Sequence, residues 1–227
     1  MLMKRISISN NVIRRLPRYL RKLEEIQEQG VARISSRELG ESLGLTPSQI
    51  RQDFSCFGEF GQQGYGYNVA ALKGEIESIL GMNRGYRAIL VGAGNIGKAL
   101  LDNFSFSKWG ITMDCAFDTK ESLVGTSFKG VEIKAAEEMA DYIRNNKVDL
   151  AVLSVPKEKA VEVAKELMES GINAIWNFTN VELTEPNSTV IVENIHFSDS
   201  LMALSYYISE ANDEKAAREQ RLKNKNV

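Results

Sequence analysis

Cysteine and histidine are scarce in this chain. Cys56 and Cys115 stand far apart with no CxxC spacing, which argues against a disulfide framework, and the single histidine, His196, leaves no Cys/His zinc site. Such a chain suits a reducing cytoplasm. No run approaches the ~20 apolar residues that a membrane span requires. No apolar segment follows the start Met1-Leu2-Met3-Lys4-Arg5, so a secretory signal is not expected. Net charge is also small, at −2, and no internal repeat or low-complexity block stands out.

A hydrophobic content of 43% supports packed cores, and 227 residues suit two modest domains. The small net charge hides an asymmetry. Residues 1–84 carry 12 Lys and Arg against 9 Asp and Glu, whereas the remainder carries 16 against 21. Residues 1–22 hold seven bases, Arg21 among them, and no acid. A solvated helix face and a surface for a polyanion both fit that cluster.

Between Asn11 and Gln29, Val12, Leu16, Tyr19, Leu20, Leu23 and Ile26 recur at helical spacing, and Gly30 supplies a left-handed cap. Pro17 either kinks this helix or marks its first turn, with Asn11–Arg15 as a lead-in. Ser35 and Glu38 are spaced as a capping box ahead of Leu39 and Leu43. After a turn at Gly44-Leu45, Thr46 is a second N-cap, Pro47 takes the first helical position and Gln49 completes the box. Two short helices joined by a tight glycine turn form a helix-turn-helix. Glycines alternate with aromatics from Gly58 to Tyr67, which predicts a β-hairpin, a wing bearing Gln62 and Gln63. Asn68 caps a helix from Val69 to Leu80, and Met82–Gly85 forms a boundary.

The polar face of the second short helix carries Ser48, Gln49, Arg51, Gln52 and Ser55. Arginine can read guanine and glutamine can read adenine. Ser35, Ser36 and Thr46 at helix starts are placed for phosphates. A surface helix that is simply polar is the alternative; the wing behind it and the bases upstream favour DNA.

From Tyr86 onward, strands at Ala88–Val91, Met113–Phe117, Leu150–Val155, Ala174–Phe178 and Val190–Val192 alternate with helices near Ile96–Phe104, Ala135–Asn145 and Lys157–Ser170. That order predicts an α/β fold with a doubly wound parallel sheet. A last helix over roughly Ser198–Glu210 leads into a charged, frayed tail.

The motif Gly92-Ala93-Gly94-Asn95-Ile96-Gly97 follows an apolar strand and opens an amphipathic helix, the setting a dinucleotide fingerprint requires. Gly92 allows the tight turn, Gly94 lets a pyrophosphate approach the backbone, and Gly97 lets helix pack on strand. The first amides of the helix then hold the pyrophosphate. Asp118, at the end of the next strand, suits the ribose hydroxyls and repels a 2′-phosphate, which favours NAD(H) over NADP(H). Ser154-Val155-Pro156 and Asn177-Phe178 end two further strands, where a nicotinamide ring would fit or where the chain simply turns. A lone histidine before a helix, as His196 is, more often caps or packs than catalyses.

These segments together resemble the Rex family of redox-sensing transcriptional repressors, almost end to end from Arg15 to Tyr207. The resemblance rests on Arg15-Leu16-Pro17-Arg18-Tyr19-Leu20, Ile34–Gly40, Thr46–Arg51, Phe57–Gly61, Leu90–Gly97 and Phe117-Asp118. It implies a winged-helix domain at 1–84, a Rossmann NAD(H)-binding domain at 85–195, and a C-terminal helix and tail at 196–227 swapped into a homodimer partner. It further implies an inverted-repeat operator, release when NADH replaces NAD+, and Phe197 near the nicotinamide. Family members commonly carry Lys at Gln52, an aromatic at Cys56, a base at Gln62, Asp at His196 and an aromatic at Asn103. A switch that pairs a carboxylate at 196 with Arg21 is therefore not expected in the same form; a protonated His196 would repel Arg21, leaving coupling to the packing of Phe197. A non-enzymatic repressor is the expectation. The alternatives are an NAD-dependent oxidoreductase, or a regulator that binds a coenzyme A-type nucleotide, each with an accessory winged-helix domain.

Overall fold

A computed structural model describes residues 8–58, 61–62, 65–184 and 189–225. It divides into two compact units, one running to Gly85 together with Lys108–Gly110, the other formed by Tyr86–Ser107 and the chain from Ile111 onward.

The first unit opens with α1 (Asn10–Glu28), capped by the Ser9 hydroxyl and buried along the predicted stripe from Val12 to Ile26. Pro17 lies inside this helix, which continues past it. The stripe is buried on both sides of Pro17, and that burial outweighs the ~3 kcal/mol an interior proline costs. Next come β1 (Arg33–Ile34), α2 (Ser36–Leu43) and α3 (Pro47–Ser55). The capping box is formed in full: Ser35 Oγ accepts from the Glu38 amide at 3.1 Å, and the Ser35 amide donates to Glu38 Oε2 at 2.8 Å. That second bond holds the Glu38 carboxyl below its ordinary pKa. Gly44 ends α2 in the left-handed region with φ +68°, which favours glycine. The wing is the antiparallel pair β2 (Gly61–Gln62) and β3 (Gly66–Asn68), with β1 added on the other side of β3. A Cβ on Gly66 would lie 2.5 Å from the Ile34 carbonyl, so only glycine lets these strands close. Helix α4 (Val69–Ile79) is capped by Asn68 Oδ1.

The second unit holds β4 (Tyr86–Val91), α5 (Asn95–Asn103), β5 (Ile111–Asp118), β6 (Ser127–Phe128), β7 (Val131–Ala135), α6 (Met139–Asn145), β8 (Leu150–Leu153), α7 (Lys157–Glu169), β9 (Ala174–Asn177), β10 (Ile191–Asn194) and α8 (Phe197–Lys225). The sheet order is β10-β9-β8-β4-β5-β7-β6, parallel throughout except for the β6–β7 edge hairpin. The chain leaves β4 toward β5 and β7, then returns to β8 on the other side of β4. That reversal opens a crevice at the carboxyl ends of β4 and β8, where open α/β sheets bind ligand.

Three expectations need correction. Among the described residues the sheet has seven strands where five are predicted; the unpredicted β6 and β7 form an edge hairpin whose two-residue turn places Lys129 and Gly130 at positive φ. The helix expected to begin at Ala135 starts as a 3₁₀ turn at 136–138 and becomes α6 only at Met139, because β7 takes Ala135. The tail after Glu210 is helical to Lys225, since no glycine or proline interrupts 197–225 and Ala, Glu, Lys and Arg dominate its end.

Candidate functional site

In the second unit a cavity of about 670 Å³ opens at the β4–β8 crevice. It brings together eight predicted residues: Gly92, Ala93, Gly94, Asn95, Asp118, Ser154, Val155 and Pro156. The glycines do different work. Gly92 has φ +93°, and a Cβ there would meet the Ser154 carbonyl at 2.7 Å. A Cβ on Gly97 would fall 2.2 Å from the Gly92 carbonyl, so Gly97 sets the loop against the helix rather than facing the cavity. Around Gly94, by contrast, nothing lies within 4 Å of a built Cβ. Gly94 is also the N-cap of α5 and provides no side-chain cap, so the amides of the first turn are left for an anion. An open cradle of this kind fits a pyrophosphate.

Asp118 fastens the loop. Its Oδ2 accepts from the Ala93 amide at 2.7 Å and its Oδ1 from the Lys120 amide at 2.8 Å. A carboxylate with both oxygens so fixed is oriented in advance and keeps lone pairs for ribose hydroxyls. Ser154 spends its hydroxyl proton on the Gly92 carbonyl at 2.8 Å, so it shapes the loop. Lys98, Lys120 and Lys159 also line the cavity, cations that the sequence reading missed. Their signal was available: they follow the glycine motif, the Asp118 strand end and Pro156, the positions nearest the crevice.

Asn177, Phe178 and Phe197 do not line this cavity, nor do Ile96 and Gly97. For Asn177 this corrects the expectation. Its amide donates to the Val181 carbonyl and to Asn194 Oδ1, and its oxygen accepts from the backbone and hydroxyl of Thr179. The side chain is buried and committed to its own loop. Phe178 is buried too, with Phe197 tilted beside it at a 6.2 Å centroid distance.

In the first unit, Ser35, Ser36, Thr46, Ser48, Arg51, Gln52 and Ser55 gather on and around α2 and α3. Arg51 is exposed and its guanidinium is steadied by Ser36 Oγ at 3.1 Å and Ser48 Oγ at 3.2 Å. Gln49 departs from expectation. Its side-chain nitrogen donates to Asp53 Oδ1 at 2.7 Å, so it neither completes a capping box nor presents a free amide outward. Asp53 itself, fully buried, escaped the sequence reading. Gln62 lies on the wing strand β2; Gln63 falls outside the described residues. Arg14, Arg18 and Arg21 are exposed along α1.

Comparison with known proteins joins these two sites. Residues 7–55 match a family described as "Putative DNA-binding protein N-terminus", and residues 83–181 match one described as "CoA binding domain". A protein of Clostridium beijerinckii named redox-sensing transcriptional repressor Rex is 49% identical over 208 residues, covering 92% of this chain and 98% of its own. The chain belongs to the Rex family. The crystal structure of the Rex-family repressor RSP in complex with NAD+ and operator DNA is similar at a TM-score of 0.85 and 46% identity, covering 93% of this chain and 97% of that one. The RSP complex with NADH is similar at 0.85 and 44%, covering 92% and 98%.

Two positions where this Rex chain departs from the pattern expected of its family have structural answers. Asn103 donates its amide to the Ala99 carbonyl of its own helix at 2.9 Å. His196 Nε2 lies 2.9 Å from Glu182 Oε2, and Glu182 Oε1 accepts from Asn194. Glu182 thus gives His196 a carboxylate partner that the sequence reading did not name. Glu182 precedes His196 by 14 residues, with β10 between them, so no local spacing announces the pair.

Proposed function

We propose that the chain is a redox-sensing transcriptional repressor that binds inverted-repeat operator DNA as a homodimer and leaves it when NADH takes the place of NAD+. One observation carries the reading. A single chain holds an arginine-bearing helix followed by a wing, and also a glycine-rich loop with an open cradle at Gly94 beside Asp118. The RSP complexes with NAD+ and operator DNA and with NADH support it.

In this reading residues 1–84 bind DNA, 85–195 bind NAD(H), and 196–227 form an arm that packs on the partner. Gly92, Ala93, Gly94, Asn95 and the first amides of α5 hold the pyrophosphate, Asp118 the ribose, and Val155, Pro156 and Phe197 border the nicotinamide. Arg51 and Gln52 read bases, while Ser35, Ser36, Thr46, Ser48, Ser55 and the wing glutamines Gln62 and Gln63 meet the backbone. The cofactor supplies the redox signal and undergoes no reaction. The compartment is the cytoplasm; no described helix is long and apolar enough to cross a membrane.

The "CoA binding domain" match favours a second reading, a coenzyme A-type nucleotide in the same crevice. Titration of NADH, NAD+, NADPH and coenzyme A, with and without the operator duplex of the relative's complex, separates the two. NADH is expected to bind far more tightly than NADPH and coenzyme A and to release DNA, with Asp118→Ala narrowing the gap to NADPH. Coenzyme A binding more tightly than NADH would reverse the assignment.

A further inference from the structure

Helix α3 packs through Ile50 and Phe54, one turn apart, and apolar contacts of that kind set its depth without setting its rotation. Between them sits Asp53, a carboxylate at 0% exposure. Arg15 grips it with two parallel bonds, Nε to Oδ2 at 2.6 Å and Nη2 to Oδ1 at 2.8 Å. Tyr19, one turn further along α1, donates its hydroxyl to Oδ2 at 2.5 Å, and Gln49 donates to Oδ1 at 2.7 Å. Of the three donor side chains, α1 supplies two.

A buried ion pair is a poor source of net stability, because desolvation consumes most of its attraction and a well-packed apolar group serves as well. What it supplies is direction. The planar guanidinium fork accepts a carboxylate in one plane only. One residue of helix rotation, ~100°, would break the three bonds from Arg15 and Tyr19 of α1, while the Gln49 bond turns with α3, and would carry Arg51 off the exposed face. The same cluster reaches the wing. Tyr19 meets Phe54 edge-on at 5.1 Å, and Phe54 meets Tyr67 of β3 at 5.2 Å.

We propose that Asp53 is the positioning residue that fixes the rotation of α3, and hence the angle at which Arg51 and Gln52 are presented to DNA, through its grip by Arg15 and Tyr19. The proposal rests on the reading of α3 as the recognition helix. Asp53 touches no base; it acts through the residues beside it.

The test uses the full chain, the operator duplex of the relative's complex and a scrambled duplex of equal composition. Asp53→Asn keeps the shape but turns an amide toward Arg15. It should weaken operator binding by about tenfold or more and scrambled binding by less than about threefold, with NADH affinity unchanged. Tyr19→Phe removes one bond and little packing and should shift the same ratio in the same direction by less. Amide exchange along Ile50–Ser55 should quicken in Asp53→Asn while α2 and α4 hold. An unchanged operator-to-scrambled ratio, or an equal loss on both duplexes, would overturn the proposal. Should Asp53→Asn fail to fold, an unchanged ratio in Tyr19→Phe does so instead. If the unaltered chain does not distinguish the duplexes, the recognition-helix reading itself fails; exchange in α3 then decides the tether alone, and equal rates overturn it.

Discussion

Gly94 and Gly97 stand three residues apart in one motif, yet a methyl group meets open space at the first and the Gly92 carbonyl at the second. Gly94→Ala should therefore leave stability within ~0.5 kcal/mol while weakening NADH binding about tenfold or more, because the methyl occupies the pyrophosphate cradle. Gly97→Ala should cost about 1–3 kcal/mol of stability. Thermal unfolding and NADH titration of the two variants check this, and equal losses of stability would contradict it. Asp53 sets a second expectation at this scale. Burial pushes its carboxyl upward, but the bonds from Arg15, Tyr19 and Gln49 outweigh that and hold it below its ordinary pKa. A carboxyl depressed in the folded state adds stability at pH values above the unfolded pKa of ~3.9, and that stability is lost as pH falls through the folded value. Asp53→Asn should abolish this share of the acid sensitivity, as chemical denaturation of the two proteins at neutral pH and below pH ~4 would show. The motif glycines and Asp118 were legible because their spacing is local. Asp53 was not: its partners lie 34 and 38 residues away on α1, and an acid flanked by core residues reads as surface until the fold brings an arginine to it.

Among the elements, the starts of α2, α3 and α4 follow from signals confined to a few residues: the Ser35–Glu38 box, the Thr46-Pro47 start and the Asn68 cap, each worth about 1 kcal/mol. Strands β1 and β6 escaped the sequence reading because two residues carry no period. Helix α8 was read as half its length because a charged helix without an apolar stripe resembles a tail. Its first half is different. Leu201, Met202, Leu204, Tyr206, Tyr207 and Ile208 are all more than half exposed, Leu201 at 66%. An apolar surface of this extent marks an interaction site, and the proposed homodimer covers it. Leu201→Glu with Leu204→Glu should convert the dimer to a monomer in sedimentation experiments and weaken operator binding, since each monomer meets one half-site. A double variant that remains dimeric would remove α8 from the interface.

At the scale of the whole molecule the account turns on coupling between the nucleotide and DNA sites. NADH can shift DNA affinity only by binding one arrangement of the protein more tightly than the other. At the start of α8, His196 Nε2 lies 2.9 Å from Glu182 Oε2, and Phe197 follows it, the residue proposed to border the nicotinamide. Phe197→Ala should then bind operator but lose most of its response to NADH. The most direct test of the account is linkage in the unaltered protein: the operator Kd with and without saturating NADH, and the NADH Kd with and without saturating operator, at one salt concentration. NADH should weaken operator binding by roughly 5–150-fold, and operator should weaken NADH binding by the same factor. An NADH affinity indifferent to operator, or an operator affinity indifferent to NADH, would contradict it.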